Sequence, residues 1–128
     1  MPSHSKPSTM LIEAVQDLIK LLEEETPQVP EAPSPDDMET WRERIDLIDK
    51  AMLQIMNERV QCANRIGAIK KKLGLPVYVP SREEDVIRNV VAGNEGPLSD
   101  AAVRRLFERV IDETRSLERH KYQDPDQE

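Results

Sequence analysis

Four side chains able to bind or polarise an anionic ligand sit where an apolar side chain is expected. Alternate steps of four and three from Trp41 pick out Trp41, Ile45, Ile48, Met52, Ile55, Arg59, Cys62, Ile66, Ile69 and Leu73. Nine of these ten positions are apolar, and the exception is the cation Arg59. A buried charge is costly unless something pairs with it. Lys70 follows Arg59 by 11 residues, which at ~100° per residue is three turns and ~20°, so the two cations share a helix face. Thr114 and Glu118 follow Ile111 at i+3 and i+7, so a hydroxyl and a carboxyl share the apolar face of a later helix. Arg82 and Glu83 stand at the start of the helix between. Cations, a carboxyl and a hydroxyl converging inside a small helical domain describe a pocket for a polyanionic small molecule. Taken alone, Arg59 could simply carry its charge out of a coiled-coil seam along its aliphatic stem.

The elements that would position these groups follow from periodicity and punctuation. The seven-residue repeat runs through one long helix from about Asp36 to Leu73. At ~1.5 Å per residue that helix is roughly 55 Å long, more than a small domain needs for its own core. Ser34 reads as its N-cap, Pro35 as its first helical residue, and Asp36 and Asp37 as first-turn acids. Lys70, Lys71 and Lys72 suit its negative end, and Gly74 and Pro76 stop it. Residues 75–80, LPVYVP, form an extended connector. Ser81-Arg82-Glu83-Glu84 has the form of a capping box and is expected to open a second helix carrying Val86, Ile87, Val90 and Val91. AGNEGP, residues 92–97, is a turn. Ser99 or Asp100 begins a third helix with Val103, Leu106, Phe107, Val110, Ile111, Thr114 and Leu117 on one face. The tail from His120 is polar and expected to fray. No stretch alternates as a strand would, so the fold class is all-α.

Ahead of the long helix, residues 1–9 are expected to be disordered. Ser8 or Thr9 could cap an amphipathic helix from Met10 to about Glu25, with Leu11, Val15, Leu18, Ile19 and Leu22 as its stripe. Prolines at 27, 30, 33 and 35 then make a semi-rigid linker. Residues 1–36 hold two Lys and seven Asp or Glu, net -5, against 16 and 18, net -2, in the remainder. Composition and linker together place a boundary near residue 36: an N-terminal extension (10–25 plus linker 26–36) and a domain at 37–128.

Composition narrows the function classes. With 3% aromatics the core must be aliphatic, and net charge -7 lacks the basic footprint of a nucleic-acid binder. Cys62 is the only cysteine, so no intrachain disulfide is possible, and it reads as a small core residue. No apolar run is long enough to span a membrane, and a soluble cytoplasmic protein is the expectation. His4 and His120 lie in polar ends and read as solvated. Lys71 and Lys72 read as a solvated helix end, and Arg44, Glu58 and Arg65 as surface or inter-helix ion pairs.

The same residues, in order, resemble the all-helical chorismate mutase family. The carriers are W-R-x-x-I-D-x-I-D (Trp41 to Asp49), N-E-R (Asn57 to Arg59), I-x-x-x-K (Ile66 to Lys70), P-V-Y-V-P-S-R-E (Pro76 to Glu83) and L-F-x-x-V-I-D-E-T-R-x-L-E (Leu106 to Glu118). The resemblance covers residues 38 to about 119. It implies a three-helix type II fold with a long first helix, an intertwined antiparallel homodimer, and conversion of chorismate to prephenate in phenylalanine and tyrosine biosynthesis, with no cofactor or metal. It further implies that Arg42 and Arg59 each hold one of chorismate's two carboxylates, and that Lys70 and Glu118 hydrogen-bond the ether oxygen of the breaking C–O bond. Glu83 would take the ring hydroxyl, Arg82 would support a carboxylate, and Thr114 would be a further contact. Some relatives carry an acid where Val79 stands, so only the backbone of Val79 could serve there. Many have glutamine where Glu118 stands.

Arg42 and Arg59 are 17 residues apart, ~25 Å along one helix, too far to grip one small molecule together. If the long helix packs antiparallel on its twin, Arg42 of the second chain can face the interval between Arg59 and Lys70, with the twofold axis near Leu53. Residues 1–36 could pack on that dimer or meet a partner protein. Two other readings stay open: an isochorismate-pyruvate lyase on the same scaffold, and a helical dimerisation or regulatory module. Arg59→Leu separates the module from an enzyme. In a pure interaction helix it raises stability. In an enzyme it lowers turnover by ~10²-fold or more, read by urea unfolding and an activity assay on the same preparation.

Overall fold

The computed structural model describes residues 9–122, with side chains through residue 118. The expectations for residues 1–8, for the side chain of His120 and for the tail beyond residue 122 lie outside the described residues. Four helices follow one another: α1 (Thr9–Glu23), α2 (Asp37–Leu73), α3 (Pro80–Ala92) and α4 (Asp100–Tyr122). No strand occurs among the described residues, and no helix among them is long and apolar enough to cross a membrane. Two compact units divide within α2, Met1–Arg59 and Val60–Glu128.

α2 begins at Asp37, two residues after Pro35, which was expected as its first helical residue. The Ser34 N–H donates to Asp37 Oδ2 at 2.7 Å, while Asp37, Met38 and Glu39 N–H groups bond back to the carbonyls of Ser34, Pro35 and Asp36 at 3.0–3.1 Å. A carboxylate thus closes the N-terminal turn, where the helix dipole also favours negative charge. At the other end Gly74 takes φ +68°. The Leu75 N–H reaches the Lys70 carbonyl at 2.8 Å and the Gly74 N–H reaches that of Lys71 at 3.3 Å. These are the two bonds of a Schellman stop, and they need a left-handed residue at position 74.

The second unit has a small core where α3 packs on α4. Ile87, Val103 and Ile111 are buried, with Thr114 buried beside them. Ser99 caps α4, its Oγ accepting the Ala102 N–H at 3.1 Å. In the loop before it, the Asn94 side chain donates to the Leu98 carbonyl and to Asp100 Oδ1 and accepts the Gly96 N–H, so one side chain ties the loop to the first turn of α4. That helix runs through Tyr122, past the point where the polar tail is expected to fray. Leu106 and Leu117, expected on the apolar face, are instead exposed.

The start of α3 departs from expectation. Its N-cap is Val79, with Pro80 at the first helical position and no side-chain capping bond. Ser81 is therefore inside the helix and closes no capping box; Glu84 instead pairs with Arg104 at 3.3 Å. Pro80 decides this, because its fixed φ suits the first helical turn and it has no N–H to satisfy.

The seam of α2 is long, apolar and uncovered. Ile45, Ile48, Met52, Leu53, Ile55 and Met56 are exposed, as are Ile66, Ile69 and Leu73, and among the described residues no large side chain is fully buried. Cys62, read from sequence as a core residue, is exposed on the same seam. Gly74→Ala is expected to destabilise the fold by ~1 kcal/mol, the cost of a left-handed non-glycine residue. Urea unfolding at fixed protein concentration checks this; an unchanged midpoint contradicts it.

Candidate active site

In the first unit the two candidate cations differ in setting. Arg42 is exposed and forms a 3.9 Å ion pair with Glu39 one turn earlier, a pairing too long and too solvated to hold the guanidinium in one place. Arg59 is half-buried in α2. Arg44, expected in an ion pair, lies over the Trp41 ring with its guanidinium carbon 5.6 Å from the centroid.

In the second unit the end of α2 is tied to the connector, and the connector and α3 are tied to α4. Lys70, half-buried near the end of α2, donates from Nζ to the Val77 carbonyl at 3.0 Å. Its own carbonyl accepts the Leu75 N–H, so the connector is fastened to Lys70 at two points. Val79 is extended (φ −130°, ψ 97°), and its carbonyl accepts the Arg82 and Glu83 N–H groups at 3.1 and 3.3 Å. That carbonyl is committed to the first turn of α3. Arg82 is exposed there, whereas Glu83, one residue on, is half-buried and turned to α4.

Along α4, Ile111, Thr114, Arg115 and Glu118 fall at i, i+3, i+4 and i+7, one face of a helix. Thr114 is 8% exposed, and its hydroxyl donates to the Val110 carbonyl at 2.9 Å. A hydroxyl has one proton, so Thr114 must rotate away from Val110 before it can donate to a ligand. Glu118 is half-buried one turn later; α4 continues past it, so it is not at a frayed end.

Sequence reading passed over Arg115, which is central to this unit. Its Nε donates to Glu83 Oε1 at 3.0 Å and its Nη2 to Glu83 Oε2. Its guanidinium carbon lies 4.5 Å from the centroid of the Tyr78 ring. The hydrogen bonds Arg115 donates to Glu83 raise its pKa above the ordinary arginine value, burial opposes this by less, and the Glu83 charge adds to the rise, so the guanidinium stays charged at any working pH. The available signal was positional: Arg115 is i+4 from Ile111 and i−3 from Glu118 and so shares their face. The second unit therefore joins Lys70, the connector, Glu83 and the face bearing Thr114 and Glu118, with Arg115 and Tyr78 as the fastening. The geometry of Arg42 and Arg59 belongs to the first unit.

Comparison with known proteins shows the family. The family described as chorismate mutase type II matches residues 41–119, well over half of the chain. The chain belongs to that family. It is 44% identical over 78 residues to the bifunctional chorismate mutase/prephenate dehydratase of Neisseria gonorrhoeae, covering 61% of this chain and 21% of that protein. It thus spans about a fifth of that relative's length. It is also 31% identical over 101 residues to the 4-amino-4-deoxychorismate mutase of Streptomyces pristinaespiralis, covering 72% of this chain and 78% of that one. Among solved structures, a chorismate mutase from Thermus thermophilus superposes with a TM-score of 0.64 at 32% identity, covering 69% of this chain and 98% of that one.

Proposed function

We propose that this chain is a chorismate mutase, converting chorismate to prephenate in aromatic amino acid biosynthesis in the cytoplasm. The observation that supports the reading is half-buried Arg59 on the apolar seam of α2, with half-buried Lys70 near the end of the same helix, in a chain of the chorismate mutase type II family. The rearrangement is intramolecular: one ether C–O bond breaks as one C–C bond forms, with no nucleophile and no net proton transfer. The protein has to hold the dianion in its compact reactive conformer and aim donors at the oxygen that gains charge as the C–O bond breaks.

In this reading Arg59 binds one carboxylate, Arg42 of a second copy binds the other, and Arg82 supports a carboxylate from the rim. Lys70 and Glu118 donate to the ether oxygen. The Val77 carbonyl steadies the Lys70 ammonium without quenching its charge, since a backbone oxygen carries only a partial one. Glu83 accepts the ring hydroxyl, and Val79 and Thr114 line the site. The exposed seam of α2 supports a homodimer, with a second α2 packed antiparallel about an axis near Leu53. Burying such a stripe is worth roughly 1.5–3 kcal/mol per large side chain before the cost of association. Activity is assigned to residues 37–128, and residues 1–36 are an extension available to a partner protein.

Two measurements test this. Chorismate absorbance should fall on adding the protein, with prephenate as product; pyruvate plus salicylate would make it a lyase, and no loss of absorbance would leave a dimerisation module. Glu118 must carry a proton to donate to the ether oxygen, so activity should be highest below its pKa and fall as pH rises. Glu118→Gln, a donor at every pH, should give a flatter profile. Superimposable profiles would remove Glu118 from the assigned role.

A further inference from the structure

The fork between Arg115 and Glu83 does more than join α3 to α4, because it pairs the charge that Glu83 offers a ligand with a fixed cation. An ionised carboxylate has about four acceptor sites, and Arg115 takes one on each oxygen. The remaining sites can accept a hydrogen bond, but the negative charge is already matched by a fixed guanidinium. Asp112, 3.9 Å from Arg115 with its side chain 63% exposed, is on the solvent side and is screened. The Tyr78 ring holds the guanidinium plane, and only arginine combines a bidentate fork with stacking on an aromatic face.

A neutral hydroxyl needs an acceptor and is indifferent to the neighbouring cation. An amine that is protonated near neutral pH needs an uncompensated carboxylate, and here it would stand beside Arg115 as a like charge. The two cases correspond to chorismate and to 4-amino-4-deoxychorismate, which differ by a hydroxyl or an amine at one ring carbon. We propose that Arg115 is a specificity-determining positioning residue: paired with Glu83 and stacked on Tyr78, it sets the site for the ring hydroxyl and against the ring ammonium. The inference rests on the reading of Glu83 as the acceptor of that hydroxyl. Arg115 touches no reacting atom in this scheme and acts through Glu83.

The test compares kcat/KM of the full chain for chorismate and for 4-amino-4-deoxychorismate, in wild type, Arg115→Met, Arg115→Lys and Tyr78→Leu. The wild type should prefer chorismate, and Arg115→Met should shift the ratio towards the amino compound by about tenfold or more. Arg115→Lys keeps the charge but loses the fork and the stacking, and should shift the ratio in the same direction by less than Arg115→Met. Tyr78→Leu, which leaves the fork in place but frees its plane, should shift the ratio in the same direction by less, and this variant carries the test if Arg115→Met does not fold. A purely structural strut predicts parallel losses on both substrates with the ratio unchanged in every variant, and that result overturns the inference while leaving the mutase reading intact. A wild-type chain that rearranges neither compound overturns the mutase reading, and this inference with it.

Discussion

An apolar stripe that one chain leaves uncovered is the constraint on which the rest depends. The heptad repeat of α2 places Ile45, Ile48, Met52 and Ile55 on one side of Arg59 and Ile66, Ile69 and Leu73 on the other, and all seven remain exposed. Water does not favour such a surface, and the small core of Ile87, Val103 and Ile111 does not draw on it. In the proposed homodimer a second copy would bring a stripe of the same length and spacing. The same packing would desolvate Arg59 and Lys70, which strengthens their attraction for an anion relative to water. In the proposed dimer, assembly and ligand binding would then share one physical cause.

Catalysis in this scheme is electrostatic and conformational, so rigidity matters more than reactive groups. The second unit shows how rigidity is obtained from a short connector. Lys70 holds that connector by its carbonyl and by its ammonium, Gly74 makes the reversal possible, and Pro80 lets α3 begin at once. Glu83 is then fixed from α4 by the Arg115 fork. In the proposed mechanism each of these contacts would reduce the freedom of a group facing the ligand, as an intramolecular rearrangement requires.

Much of the fold was legible because its signals are local. The Gly74 stop and the Ser99 cap are read from one residue each, and the structure places both where the sequence suggests, whereas α2 begins at Asp37, two residues after Pro35. Ser81 misled because two start signals compete within two residues, and the fixed φ of Pro80 outweighs a capping side chain. Cys62 misled because its spacing reports a seam but not which molecule covers it. Arg115 was missed for a different reason. Its partners Tyr78 and Glu83 lie in the connector and in α3, more than 30 residues away, and no periodicity within α4 points to them.

The central claim is that each site draws Arg42 from one chain and Arg59 from the other. Mixing inactive Arg42→Ala and Arg59→Ala homodimers, with denaturation and joint refolding to exchange subunits, tests it directly. Hybrid dimers would contain one site with both arginines intact, and a statistical mixture should recover about a quarter of wild-type activity. If the mixture stays as inactive as its parents while hybrids form, the two arginines do not meet across chains and the shared site is wrong.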